Sequence, residues 1–425
     1  MKSRKTQKGI TLIALVITII VLLILAIVAI GAIKNDGIIQ YAQNAKTDYT
    51  DASNKEKETL NILETQVEEA VNEDNDGGES SDKESSDEEN SDEENKNPLL
   101  DDEMFNKKTN TITYDIYGNK IVIPAGFKML VDDTTEYTEK EISVTKGIVI
   151  QDKNGNEFVW VPVGKIYTDE AKTEENSKTI TLGRYENFEK NKNGEFVPIQ
   201  NAVDYEKQVK IDNPSCEGEN GITEDIAANH GEYKNVIAKD IGAFCTNSIA
   251  NCGYYIGRFE AGDLDATKEN VERTEETSDE HTVVSKKNQR VYNYITQAKA
   301  SSLAQNMYKD ASTFTSDLIN GFAWDTAIIF IQTFGNCENY YNQNFSAGFT
   351  NTGITNDKYC NIHDMSGNEQ EYDTETYTWA SAPCISRGGC ADEHNGSAAN
   401  SAIDRTGTTE TNEGAGYSFR PILYF

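Results

Sequence analysis

The stretch of this chain that gathers reactive side chains is Cys390, Asp392, Glu393 and His394. A thiol, two carboxylates and an imidazole within five residues could hold a metal ion. The remaining histidines, His230, His281 and His363, are not spaced as ligands. No GxSxG, HExxH or phosphate-loop pattern occurs. The cluster therefore reads as part of a polar surface loop, and the chain is expected not to be an enzyme. Seven cysteines are present and none forms a CxxC pair, which argues against a zinc ribbon. In an oxidising compartment Cys245–Cys252 or Cys384–Cys390 could close short disulfide loops. Buried, inert thiols are the simpler reading, because a chain of 425 residues does not need staples.

The cluster opens a stretch, residues 390–416, rich in Asn, Ser, Thr, Gly and Ala. It lies between Arg387-Gly388-Gly389 and Ser418-Phe419-Arg420-Pro421. Recognition usually sits in loops held by a rigid scaffold. The polar side chains expected to meet a ligand are Asp392, Glu393, His394, Asn395, Ser397, Asn400, Ser401, Asp404, Thr408, Thr409, Thr411 and Asn412.

The elements that must hold such a loop are short. Thr111-Ile112-Thr113-Tyr114, Lys120-Ile121-Val122-Ile123 and Gly147-Ile148-Val149-Ile150 read as strands. Asn154-Gly155 is a hairpin signal leading into Phe158-Val159-Trp160-Val161. Residues 168–240 are polar and poorly periodic and are expected to be long loops. Gly253 to Ala261 reads as a strand ending at a glycine turn. Residues 294–308 carry Ile295, Ala298, Leu303 and Met307 at helical spacing. Ser316-Asp317 looks like the start of a helix running to about Phe334. Residues 417–425 read as a closing strand.

The other end of the chain differs in kind. Residues 10–33 are an almost unbroken apolar run of 24 residues. As a helix it would be roughly 36 Å long, enough for a hydrocarbon core of about 30 Å. Lys2, Arg4, Lys5 and Lys8 precede it, so the positive-inside rule places the N-terminus in the cytoplasm and the C-terminal domain outside. A cleaved secretory signal would have a shorter apolar region. Residues 73–94 hold twelve acidic side chains and one lysine, with no apolar side chain, and are expected to be an extended, disordered spacer. The formal net charge of the whole chain is −32, which excludes nucleic acid as an expected partner. The expected organisation is a basic leader (1–9), a transmembrane and extended helix (10–72), an acidic linker (73–97), a β-rich lead-in (98–145) and an α+β domain (146–425).

Two resemblances sharpen these expectations. Lys8-Gly9-Ile10-Thr11-Leu12-Ile13, followed by the apolar run, resembles the start of a type IV prepilin. It implies cleavage and N-methylation between Gly9 and Ile10, and a pilin-like helix. Ala14 stands where that family usually has the glutamate that assists filament docking.

Phe158-Val159-Trp160-Val161-Pro162-Val163-Gly164, Tyr255-Ile256-Gly257-Arg258-Phe259-Glu260, Ala323-Trp324-Asp325-Thr326-Ala327, Asp364-Met365-Ser366-Gly367-Asn368-Glu369-Gln370-Glu371-Tyr372, Arg387-Gly388-Gly389-Cys390 and Phe419-Arg420-Pro421 resemble, in order, segments of the formylglycine-generating enzyme (sulfatase-modifying factor) family. This resemblance implies a C-type-lectin-like fold. The family's oxidising members use a cysteine pair downstream of the RGGS segment. Here Cys390 is the last cysteine, so the resemblance points to a member without that chemistry, a residual oxidoreductase being the alternative. It also implies a structural calcium at Asp364, Met365, Gly367 and Glu369. The layout resembles the variable proteins of diversity-generating retroelements, which implies a diversified loop. The expected function is a surface-displayed, adhesin-like protein with a protein or glycan ligand. The alternative is a structural or minor pilin subunit that self-assembles.

Overall fold

The structure is a computed structural model that describes residues 97–199, 240–268, 275, 280–345, 348–376, 384–391, 400–409 and 412–425. The basic leader, the apolar helix with Gly9 and Ile10, and the linker up to residue 96 lie outside the described residues. Among those described, no helix is long and apolar enough to cross a membrane.

Two 3-10 turns, Pro98–Leu100 and Asp102–Asn106, lead into a hairpin of β1 (Thr111–Tyr114) and β2 (Lys120–Ile123). β3 (Phe127–Met129), β4 (Val149–Asp152) and β5 (Glu157–Pro162) follow, then the hairpin β6 (Gly164–Tyr167) and β7 (Ser177–Ile180). Helix α1 (Ile241–Ala250) precedes β8 (Gly253–Gly257). A small sheet holds β9 (Gly262–Asp263), β10 (Val283–Val284) and β11 (Arg290–Val291). Next come α2 (Gln297–Asn306), β12 (Thr315–Leu318) and α3 (Gly321–Phe334). The chain ends through β13 (Lys358–Tyr359), β14 (Ile362–His363), β15 (Gln370–Thr376), β16 (Cys384–Arg387), β17 (Arg405–Thr408), β18 (Tyr417–Phe419) and β19 (Pro421–Tyr424). This is an α+β architecture.

The main sheet is antiparallel with order β12-β19-β8-β5-β4-β3. Its central strands, β5 and β8, are buried almost throughout, so they read as continuous apolar runs rather than alternating ones. Trp160 of β5 packs edge-on against Tyr255 of β8 at 4.9 Å. Residues 98–145, the β-rich lead-in, supply a hairpin and the edge strand of this same sheet. Helix α3 is apolar nearly all round, so almost every residue is buried, as suits a helix enclosed by other elements. It packs against β5, β7 and β15. Burying each of its large apolar side chains contributes about 1.5–3 kcal/mol.

The hairpin at Asn154-Gly155 forms as its residues predict. Gly155 has φ +82° and donates to the Asp152 carbonyl at 3.0 Å, while the Asn156 amide N–H donates to Asp152 Oδ1 at 2.8 Å. The same device recurs between β1 and β2. Gly118 has φ +75°, and the Asn119 N–H donates to Asp115 Oδ1 at 2.8 Å. Asp-x-x-Gly-Asn is thus a repeated turn in which the carboxylate replaces missing ladder bonds.

Several expectations are corrected. Ser316-Asp317 does not start a helix; both residues lie in β12, paired with β19. Asn320 is the actual N-cap, accepting from the Ala323 N–H at 3.0 Å. The expected helix over 294–308 is shorter, Gln297–Asn306, capped by Thr296. The closing strand is two strands in different sheets, β18 and β19, divided at Arg420. The 168–240 stretch contains β7. Six cysteines are described and none is joined in a disulfide; Cys216 lies outside the described residues.

Candidate ligand-binding site

The expected loop is not one unbroken segment. β17 divides it, pairing with β16 in a four-stranded sheet of order β17-β16-β15-β18. β15 and β18 run parallel; the other pairs are antiparallel.

Two buried arginines and a third that is partly buried hold the base of that sheet. Arg387 reaches Asp325 at 2.6 Å and Asp373 and Glu375 at 3.4 Å, with its guanidinium 5.3 Å from the Trp324 ring. Arg184 meets Glu375 at 2.6 Å, and Arg405 meets Glu375 at 2.9 Å and also bridges to Asp325. Burial pushes the Glu375 carboxyl up, but Arg184, Arg405 and Arg387 together outweigh it and hold the group well below the usual carboxylate range. Burial and the Glu375 charge push Asp373 up.

The glycines of the Arg387-Gly388-Gly389 segment are explained by close approach. Gly388 has φ +84°, and a Cβ there would lie 2.6 Å from the Met365 carbonyl oxygen. A Cβ on Gly389 would lie 2.1 Å from the Ser366 carbonyl oxygen. Both glycines let this segment lie flat on the 364–369 turn.

Each stem of the loop is tied to that base. Ala391 N–H donates to the Asn368 carbonyl at 2.9 Å. On the far side, Trp324 Nε1 donates to the Ala402 carbonyl at 2.9 Å, and Arg387 Nε to the Asp404 carbonyl at 3.2 Å. Ser401 N–H donates to Asp404 Oδ2 at 2.7 Å. After β17, Asn412 Nδ2 donates to Thr408 Oγ1 at 2.6 Å, and Tyr372 O–H to the Asn412 carbonyl at 2.9 Å.

These contacts sort the expected ligand residues. Asp392, Glu393, His394, Asn395, Ser397 and Thr411 lie outside the described residues. Ser401, Asp404, Thr408 and Asn412 make hydrogen bonds that hold the stems together. Asn400 is half-buried, with its carbonyl accepting from Asn344 Nδ2 and its own Nδ2 donating to Thr406 Oγ1 at 3.2 Å. Thr409 is exposed.

The 364–369 turn has its own polar partners. Asp364 and Asn368 adopt left-handed φ of +64° and +62°. Glu260 accepts from Asn368 Nδ2 at 2.6 Å and from the Glu369 N–H at 3.0 Å. Asp364 accepts from the Gly353 N–H at 2.6 Å and from Thr355 Oγ1 at 2.5 Å. Glu369 Oε1 accepts from Asn293 Nδ2 at 3.1 Å. Gly367 bridges to Phe345, and the Met365 carbonyl faces Gly388. Among the described residues, no three His, Cys, Asp or Glu side chains are gathered as a metal-ligand group. Beside the turn, His363 packs on Phe259 at 4.8 Å, and burial with Arg258 nearby pushes its imidazole down to about 2. Burial pushes Asp357, which accepts from Ser366 and Tyr340, up to about 7.

Sequence reasoning missed Arg184, which comes from a stretch read as loop, and Arg405, read as part of the variable segment. The signal available for Arg405 was an isolated arginine in a polar stretch of the kind that pairs when buried. No family model matches the sequence, and no curated protein matches it. Among solved structures, a crystal structure of CarF is similar over 41% of this chain and 87% of that one, at 13% identity and a TM-score of 0.29.

Proposed function

We propose that this chain is a membrane-anchored, surface-displayed protein that binds an extracellular protein or glycan through the segment between Cys390 and Gly416, without catalysis. The observation that carries the reading is the pinned stem. Buried arginines and the Trp324–Ala402 bond hold both ends of residues 392–399, so those residues can vary without disturbing the framework. The C-type-lectin-like, sulfatase-modifying-factor reading has its own support. The quoted segments all supply buried framework: β5, β8, α3, the 364–369 turn, the two close-approach glycines and Arg420. Arg420 pairs with Glu371 and donates to the Gly257 and His363 carbonyls. The absence of a cysteine beyond Cys390 supports a non-catalytic role over the oxidoreductase alternative. A near-copy of the loop's coding stretch beside a reverse transcriptase would support diversification.

Labelling intact cells with a membrane-impermeant biotin reagent tests display. Lysines of the C-terminal domain are expected to react; reaction only after lysis would overturn the reading. The second reading, a minor pilin, rests on Lys8-Gly9-Ile10-Thr11. It predicts a mature chain beginning at N-methylated Ile10, and an intact Met1 would remove it.

A further inference from the structure

A second cleft shares no residue with the loop site. It encloses 570 Å³ and is lined by Lys107, Lys108, Lys153 and Lys309 around Phe127, Tyr308 and Phe314. Each of these lysines is exposed, and within the described structure none of their ammonium groups makes an ion pair or a side-chain hydrogen bond. The carboxylates nearby are Asp152 and Asp310. Asp152 is buried and already accepts from Asn154, Asn156 and the Tyr308 hydroxyl at 2.8–2.9 Å. Asp310 alone is exposed. Four uncommitted cations against one exposed carboxylate make a positive spot on a chain whose formal charge is −32. Such a concentration of one sign attracts and orients an opposite charge.

The floor is as specific as the rim. Phe127 contacts Tyr308 at 5.5 Å and Phe314 at 5.7 Å, and Tyr308 contacts Phe314 at 5.5 Å. The rings are locked by one another, and Tyr308 is half-buried, offering ring surface to the cleft. Asn154 and Asn306 add exposed amides that can both donate and accept. Across Met307 and Tyr308 the cleft adjoins a hollow of 610 Å³ that reaches Lys286. An elongated groove with a ring floor, amide walls and a lysine rim matches a chain of hydroxylated rings bearing carboxylates.

We propose that this groove binds an acidic, uronate-type oligosaccharide, independently of the loop. The test titrates the full-length protein in detergent with hexagalacturonate, its methyl-esterified neutral form and hexaglutamate. Hexagalacturonate is expected to bind at least tenfold more tightly than either control, and more weakly as salt rises. The combined change Lys107→Gln, Lys108→Gln, Lys153→Gln and Lys309→Gln is expected to weaken it at least tenfold with an unchanged melting temperature. Failure of hexagalacturonate to bind, or undiminished binding by the quadruple variant, would overturn the site. Equal affinity for hexaglutamate would overturn the sugar assignment, leaving simple charge attraction. Equal affinity for the neutral ester would overturn the role given to the lysines.

Discussion

Two largely buried clusters of charge solve the same problem differently. Below the loop, Arg184, Arg387 and Arg405 face Asp325, Asp373 and Glu375, three cations against three carboxylates. Around the 364–369 turn, Arg420 faces Glu371, Glu260 and Asp364. There burial, together with neighbouring carboxylates, pushes Glu260 up, and neutral N–H and O–H donors do most of the satisfying. A balanced layer depends on every charge in it. An acid-rich layer tolerates losing a charge, because its carboxyls resist ionising in the first place.

The sharpest way to break this comparison is a pair of carboxylate-to-amide changes. Glu375→Gln removes the partner of three guanidinium groups and is expected to cost about 3–5 kcal/mol in urea unfolding at pH 7. Because its folded pKa is depressed, the contribution of Glu375 is fully present above about pH 4.3 and is lost as the solution becomes more acid. Glu260→Gln is expected to cost less, about 1–3 kcal/mol, since the carboxyl already resists ionising and the loss is one acceptor, which leaves a single buried N–H unsatisfied. Equal costs would erase the distinction.

A second test uses pH. His363 is held down to about 2, so the unfolded chain binds its proton first as pH falls below about 6.5, and stability declines from there. His363→Phe keeps the packing on Phe259 and removes that proton uptake. Between pH 6.5 and 5 the variant is expected to lose up to about 2 kcal/mol less than the parent, at about 1.4 kcal/mol per pH unit. An identical acid limb in both proteins would contradict the assignment. The smallest expected effect is chelation. With the Asp364 carboxylate already accepting from Gly353 and Thr355, EDTA is expected to shift the melting temperature by less than about 2 °C, equivalent to well under 1 kcal/mol. A large drop would support the calcium expected from the family resemblance.

Local chemistry made some of this legible in the sequence. Asn154-Gly155 turns as its residues require, and the apolar runs of β5 and β8 stand at the centre of the sheet. The 364–369 and 387–389 segments, picked out by the family resemblance and not by local pattern, meet in the fold. What failed was decided by distant pairing. Ser316 and Asp317 carry cap chemistry, yet the tail strand recruits them into β12. Thr406 to Thr408 look like loop residues until β16 pairs with them. Arg184 joins Glu375 across a sequence gap that no local pattern encodes.

The most direct test of the account replaces residues 392–399 with glycine and serine and screens both full-length proteins against the same glycan and protein panel. The parent is expected to retain a ligand that the variant binds at least tenfold more weakly, with unchanged unfolding midpoints. Undiminished binding by the variant, or no ligand for the parent, would contradict the claim that this segment is the recognition surface.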